Sequence, residues 1–371
     1  MKRFDVCVRG SGVVGRSLAL SLARLGLRIA LQGDTPRAGS GPDVRTYALN
    51  PASVALLASL RVWEALPADA MTPVYDMHVE GDAPGAALDF SAWQQHVREL
   101  ACIVDAAALD QELANAVRFA PHVSELPPQA GVEAELLAVC EGKSSASSET
   151  LGASIERHDY GQTAVAARLV ATRAHHGIAR QWFRSPDVLA LLPFDRPSAG
   201  HSYGLVWSLP SARAAELMAL DARAFEAALL DASGGQCGEL RLAGERAAWP
   251  LCLSRAERWC GRGWVLLGDA AHVVHPLAGQ GLNLGLADVR VLSRVIGERE
   301  AWRGVGDARL LRRYAREREL PTRAMAQLTD GLLQLFASPS GGVRELRNRG
   351  LTLVNQFTPL KRWLTARALD Q

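Results

Sequence analysis

At 371 residues the chain is long enough for two domains with substantial cores, and 48% hydrophobic with 22% charged residues places it among soluble globular proteins. A formal net charge of +2 argues against nucleic acid as the main partner, which would call for a clear basic excess. No stretch offers the roughly 18 uncharged apolar residues of a membrane span, and Asp5 and Arg9 break any apolar region that a secretory signal would need.

In chain order, Phe4-Asp5-Val6-Cys7-Val8 predicts a strand, followed by Gly10-Ser11-Gly12-Val13-Val14-Gly15, a helical pattern through Leu18, Leu22 and Leu25, and a second strand, Arg28-Ile29-Ala30-Leu31. This is a βαβ unit with G-x-G-x-x-G at its first turn, an arrangement that sets a pyrophosphate on a helix N-terminus. The acid expected at the end of the second strand to hold a ribose is missing: Gly33 stands there and Asp34 follows. Two readings of Asp34 stand, a ribose contact and an ordinary turn residue.

Thr72 to Val79 predicts a strand leaving this first unit. Farther on, Asp187-Val188-Leu189-Ala190-Leu191-Leu192-Pro193-Phe194 and His201 to Ser208 are apolar runs joined by a Pro/Gly/Ser loop, which predicts a β-hairpin. Phe194, Tyr203 and Trp207 on this hairpin are candidate ring neighbours for a substrate, with core packing as the competing role.

The most informative stretch follows the buried-strand pattern Trp264-Val265-Leu266-Leu267. Gly268-Asp269-Ala270-Ala271-His272 leads through His275 and Pro276 to Gly279-Gln280-Gly281-Leu282-Asn283-Leu284-Gly285, and Leu282, Leu286, Val289, Leu292 and Ile296 then repeat at helical spacing. Glycines at 279 and 281 let backbone lie against a flat ligand, and the free N–H groups and dipole of the following helix favour negative charge. Asp269, at a strand's carboxyl end, suits sugar-like hydroxyls, so the geometry fits a cofactor with a polyol chain and an electron-accepting ring such as a flavin. Only one complete G-x-G-x-x-G is present, so a nicotinamide reductant is expected to bind transiently. The six cysteines, at 7, 102, 140, 237, 252 and 260, contain no C-x-x-C pair and are expected to be reduced thiols of a cytoplasmic protein with no metal site.

These segments, with Asp43-Val44-Arg45-Thr46-Tyr47-Ala48-Leu49-Asn50, Asp159-Tyr160-Gly161-Gln162-Thr163-Ala164, His175-His176-Gly177 and Leu191-Leu192-Pro193, resemble the ubiquinone-biosynthesis hydroxylase family. That family belongs to the FAD-dependent aromatic monooxygenases related to para-hydroxybenzoate hydroxylase, and the resemblance runs in the same order from about residue 4 to about residue 365. It implies an α/β fold: a Rossmann-type FAD domain from residues 1–72, 97–170 and 254–335, an interposed β-sheet substrate domain from 73–96 and 171–253, and a C-terminal helical tail, 336–371.

The resemblance also implies FAD reduced by NADPH or NADH, a flavin C4a-hydroperoxide formed with O₂, and hydroxylation of an aromatic ring, with a polyprenylated phenol as the expected substrate. The hard chemistry is then the cofactor's, which accounts for the lack of an evident nucleophile–base pair. By position, Gly10, Gly12, Val13, Gly15 and Asp34 would serve the nucleotide end. Arg45 would sit near the phosphates or flavin, with a solvated surface arginine as the bland reading. Asp269 would bond the ribityl chain, the backbone of Gly279, Gln280, Gly281, Leu282 and Asn283 would face the ring, and His275 and Pro276 would pass beside it. His272 is expected to be a hydrogen-bonded structural histidine.

Departures from the family pattern cluster in the cofactor half: Gly33, Arg9 before the first glycine, Ala107 in place of a cofactor-contacting arginine, Glu141 in place of an aspartate, a short Val117–Leu136 segment, and Lys143 to Glu149 without the usual arginine-serine spacing. They keep open an alternative, a flavin-poor, non-catalytic member acting as a subunit of a biosynthetic assembly. A second enzyme reading is a flavin halogenase or prenyl reductase with the same cofactor fold, and the absence of the halogenases' W-x-W-x-I-P argues against it. In the C-terminal segment Leu351, Val354, Leu360, Trp363 and Leu364 alternate with Arg347, Arg349, Lys361, Arg362 and Arg367. This suits either a helix docked on the protein's own body or peripheral contact with the inner membrane or a lipid carrier. A homo-oligomer or a biosynthetic complex is compatible with the family.

Overall fold

The computed structural model describes residues 3–33, 43–82, 85–143, 146–274 and 280–337. The chain opens with β1 (Arg3–Arg9), α1 (Val13–Ala23) and β2 (Ile29–Gln32), then β3 (Thr46–Leu49), α2 (Pro51–Ser59), β4 (Met71–Val74), β5 (Asp76–Glu80), β6 (Ala87–Ser91), α3 (Ala92–Gln95), β7 (Ala101–Asp105) and α4 (Ala106–Arg118). It continues through β8 (Val123–Leu126), β9 (Glu133–Val139), α5 (Ala146–Thr150), β10 (Ile155–Ala171), β11 (Ile178–Arg184), β12 (Asp187–Phe194), β13 (Ser202–Pro210), α6 (Ser211–Ala219), α7 (Ala222–Ala232) and β14 (Leu240–Ala256). The last described elements are β15 (Cys260–Gly261), β16 (Trp264–Leu266), a 3₁₀ turn at Gly268–Ala270, β17 (His272–Val273), α8 (Gln280–Gly297) and α9 (Ala308–Ala337).

Among the described residues the strands form three sheets. The six-stranded one runs β15-β16-β9-β1-β2-β8, with β1 parallel to both β2 and β9. Parallel strands covered on both faces need apolar residues throughout, and Val6 and Val8 of β1 and Ile29 of β2 are fully buried. Helices α1 and α8 pack on this sheet and on each other. Leu18 and Leu22 are buried as their spacing predicts, but α1 ends at Ala23, and Leu25 lies past its end, 44% exposed, in the turn closed by Gly26 at φ +79°.

The eight-stranded sheet runs β17-β14-β10-β13-β12-β11-β5-β6. The expected hairpin is the antiparallel pair of β12 and β13. The single strand expected over Thr72–Val79 is two: β4 joins the three-stranded sheet β3-β7-β4, and β5 joins the large sheet after the chain crosses over at Tyr75. The domain boundary expected at residue 170 also shifts, because β10 pairs from Ile155 with β14 and from Gln162 with β13, and so belongs to the large sheet. Pleat alternation divides that sheet into two faces. One buries Val165, Trp182, Leu189, Tyr203 and Trp207 against α6 and α7, and the other looks toward the six-stranded sheet.

Cys7, Cys102, Cys140 and Cys237 are buried, and Cys252 and Cys260 partly so, all as free thiols. No helix among the described residues is long and apolar enough to cross a membrane. The C-terminal pattern from Arg347 to Arg367 lies outside the described residues, and α9 runs to Ala337, past the boundary expected at 336.

Candidate active site

A cavity of about 730 Å³ lies between the six-stranded and eight-stranded sheets. Gly12, Val13 and Val14 line one end of it, at the first turn. Gly10 takes φ +105°, and a Cβ there would stand 2.2 Å from the Cys140 carbonyl oxygen; a Cβ on Gly15 would stand 1.8 Å from that of Gly10. These two glycines let the loop close on β9 and on itself. Gly12 differs, since a Cβ would meet no protein atom within 4 Å and would enter the space of the cavity. It is also the N-cap of α1, with no side-chain cap and no acid in the first turn, so the helix's free N–H groups and dipole are left for an anion.

The second cofactor-type element is the Gly268–Ala270 turn. Gly268 takes φ +57°, and a Cβ on Gly285 of α8 would come within 2.7 Å of Val14 Cγ2 and 3.3 Å of Gly268 Cα, so Gly285 is what lets α8 approach both turn and α1. The Gly268 N–H donates to Asp288 Oδ2 at 2.9 Å, His272 Nε2 lies 2.7 Å from the same oxygen, and Arg318 Nε of α9 donates to Asp288 Oδ1 at 2.7 Å. Asp288 is fully buried. Burial pushes its carboxyl up, but the charges and hydrogen bonds of His272 and Arg318 outweigh this and hold it below the usual carboxylate range. His272 also stacks on Trp259, ring centroids 5.0 Å apart, and so has the structural role expected of it.

Asp269 lines the cavity half-buried. Burial raises its carboxyl above the ordinary range, against the opposing charges of Lys143, His272 and Arg45.

Arg45 also lines the cavity, paired with Asp43 through Nε at 2.8 Å and Nη2 at 2.7 Å. Its segment is held from below by Arg168 of β10, which donates to the Val44 carbonyl at 2.9 Å, the Arg45 carbonyl at 2.8 Å and Asp105 at 3.1 Å. The Asn283 side chain accepts from the Asn50 N–H at 3.0 Å and donates to the Ala48 carbonyl at 2.8 Å, tying α8 to β3 and α2.

Two of the departures from the family pattern prove to be linked. Arg9 donates to Ser147 Oγ and Gln32 Oε1, and Ser147 Oγ donates to Glu141 at 2.6 Å, so Arg9 and Glu141 share one network. Ala107 lines the cavity beside Asp110, which pairs with Arg16 of α1 at 2.5 Å.

The structure thus brings Gly12, Val13, Arg45, Asp269, Gly281 and Leu282 to one cavity, with Gly10 and Gly15 shaping its first turn. Gln280 opens α8, and Asn283 turns its side chain to β3. Asp34, His275, Pro276 and Gly279 lie outside the described residues.

The three hairpin aromatics do not line the cavity. Tyr203 and Trp207 alternate to the opposite face and are buried, Trp207 against Phe225 at 6.3 Å. Phe194 is buried beneath the Arg168 guanidinium, 4.4 Å from its centroid. The wall facing the cavity is built instead mainly from small and aliphatic side chains, Ala166, Ala179, Ala190, Leu192 and Val206, with Gln181 and Trp249 among them.

Asp288, Arg318, Arg168 and Gln181 were not singled out from sequence. Asp288 carried a signal, because it sits four residues from Leu284 and three from Val291 on the buried stripe of α8, where an acid has to be paired. Arg168 and Arg318 gave none, as their partners are distant in sequence.

An uncapped helix N-terminus, a loop whose middle glycine faces open space, a half-buried acid and an apolar wall in one cavity fit a dinucleotide cofactor with a flat ring. Comparison with known proteins agrees. A protein family described as "FAD binding domain" matches residues 106–329. The chain is 30% identical to ubiquinone hydroxylase UbiL of Rhodospirillum rubrum, over 98% of this chain and 89% of that one. It is 28% identical to 3-demethoxyubiquinol 3-hydroxylase of Escherichia coli, over 96% of each. Among solved structures, p-nitrophenol 4-monooxygenase PnpA of Pseudomonas putida superposes with a TM-score of 0.77 at 15% identity, covering 100% of this chain and 99% of that one, which shows a shared fold. The chain belongs to the ubiquinone-biosynthesis hydroxylase family of FAD-dependent aromatic monooxygenases.

Proposed function

We propose that this FAD-dependent monooxygenase hydroxylates the ring of a polyprenylated phenol in ubiquinone biosynthesis, using NADPH or NADH as a transient reductant. One observation carries the reading: a single cavity joins the open glycine turn at Gly12, the acid Asp269 and an apolar wall of the large sheet. FAD, when bound, supplies the activation of O₂ and the transfer of one oxygen atom to the ring, the other leaving as water.

The remaining work falls to the chain. Gly12 and the first-turn amides of α1 would hold the cofactor's phosphates, with Arg45 offsetting their charge. Asp269 would accept hydrogen bonds from the cofactor's hydroxyl-bearing chain, and the backbone of Gln280 to Asn283, at the start of α8, would face its ring, a role also expected of Gly279. Asp288, through the Gly268 N–H, keeps the turn in position. The alanine-lined wall leaves room for a bulky apolar substrate, which would itself keep water from the reacting ring when bound. Delivery of so apolar a substrate is consistent with membrane or lipid-carrier contact through residues 343–371; deleting them and sedimenting the protein with liposomes tests this, and unchanged binding rejects it.

No observation among the described residues favours the non-catalytic alternative. The test is the absorption spectrum of the purified protein, followed by NADPH and NADH oxidation with and without a prenylated phenol under ¹⁸O₂. Substrate-stimulated oxidation with one labelled oxygen in the product is expected. A protein that takes up no FAD refutes the reading, and reductant oxidation without labelled product refutes the substrate class.

A further inference from the structure

Four cavity-lining residues lie in a row across adjacent strands. Ala166 of β10 is in register with Val206 of β13, Val206 with Ala190 of β12, and Ala190 with Gln181 of β11. Strands lie about 4.8 Å apart, so three steps make an apolar strip roughly 14 Å long ending in a primary amide. Gln181 shares its face with Ala179, while the next residue, Trp182, is fully buried on the other side. The Gln181 amide makes no hydrogen bond to any described residue; of the other neutral polar groups lining the cavity, the Gln111 amide donates to Asn115, and the Thr46 and Tyr47 hydroxyls stand at the opposite, cofactor-loop end on β3.

On the large-sheet wall Trp249 adds only an N–H donor, and no side chain there is charged. An amide both donates and accepts, so it can bind a hydroxyl in either role, and without a cation beside it the wall favours a neutral phenol over a phenolate.

We propose that Gln181 determines specificity for the ring hydroxyl of the substrate, binding a neutral phenol whose apolar body lies along the Ala166–Val206–Ala190 strip. This rests on the reading as an aromatic hydroxylase. A site built to hydrogen-bond a hydroxyl discriminates against the analogue that blocks it, because the amide carbonyl then loses its O–H donor.

The test compares FAD-loaded wild type with Gln181→Leu and with Gln181→Met, a second variant of similar length. The probes are a short-chain prenylated phenol and its O-methyl ether. Binding is read from the perturbation of the flavin absorption spectrum, and coupling from the ratio of hydroxylated product to NADPH consumed. Wild type is expected to prefer the phenol about tenfold or more, a preference that both variants lose while keeping their FAD content. A phenol preference kept in a folded, FAD-loaded variant overturns the role of Gln181 and leaves the hydroxylase reading intact. Wild type that neither binds nor hydroxylates the phenol overturns the hydroxylase reading, and the role of Gln181 falls with it.

Discussion

Asp288→Asn tests whether the Gly-Asp turn is held by buried electrostatics. The carboxylate is fully buried and accepts from Gly268 N–H at 2.9 Å and Arg318 Nε at 2.7 Å, with His272 Nε2 at 2.7 Å. An asparagine keeps the shape but removes the charge that compensates Arg318, itself buried, and places an amide N–H against one of the two donors. Breaking a buried pair by removing one partner costs about 3–5 kcal/mol, because the other charge is left uncompensated. A loss of that size is expected in urea unfolding followed by far-UV circular dichroism. Replacing both ends, Asp288→Asn with Arg318→Met, is expected to cost clearly less than the sum of the two single changes. The pH dependence has a definite sign. The folded carboxyl lies below its unfolded value of about 3.9, so its contribution is fully present above that pH and is lost as pH falls toward the folded value. The variant is therefore expected to lose less stability than wild type on acidification. Equal urea midpoints for wild type and Asp288→Asn at pH 7, or additive single and double changes, would refute the reasoning.

Gly12→Ala separates the cofactor from the fold: the added Cβ touches no protein atom, so the apoprotein should melt as wild type does while FAD, titrated by flavin fluorescence quenching, binds about tenfold or more weakly. Undiminished FAD affinity would remove Gly12 from the phosphate site. Arg168→Met strips three charge-assisted hydrogen bonds from the Val44–Arg45 segment and Asp105. At about 1.5–3 kcal/mol for a hydrogen bond to a charged group, weaker FAD binding and a measurable fall in stability are expected, and neither change would mean that the segment is held by other contacts. For Asp269, burial raises the folded carboxyl above its unfolded value, so wild-type apoprotein loses stability as pH rises from the unfolded to the folded value. Asp269→Asn apoprotein should therefore gain on wild type as pH rises past about 4, and parallel pH–stability curves would contradict the burial assigned to this acid.

Local rules carried the sequence a long way. The periodicity of α8, the βαβ unit and the β12–β13 hairpin were legible because each depends on neighbours within a few residues. The Thr72–Val79 strand misled in one respect, since a continuous extended segment gives no sign that its two halves pair with different sheets. The hairpin aromatics left a choice open between ring neighbour and core packing. Period-two alternation shows that Tyr203 and Trp207 share a face, but not which face carries the helices α6 and α7 and which the cavity.

The sequence by itself determined that a pyrophosphate-type turn and a Gly-Asp turn are present, because glycines at close backbone approaches and an acid after a buried strand are recorded residue by residue. Only the tertiary structure decided how those turns are held and what the substrate wall is made of. The Asp288–Arg318 and Arg168–Val44 contacts join residues 30 and 124 positions apart, and the Ala166–Val206–Ala190–Gln181 row exists only through strand register. Such pairings depend on how whole elements pack, and no local pattern of residues encodes them.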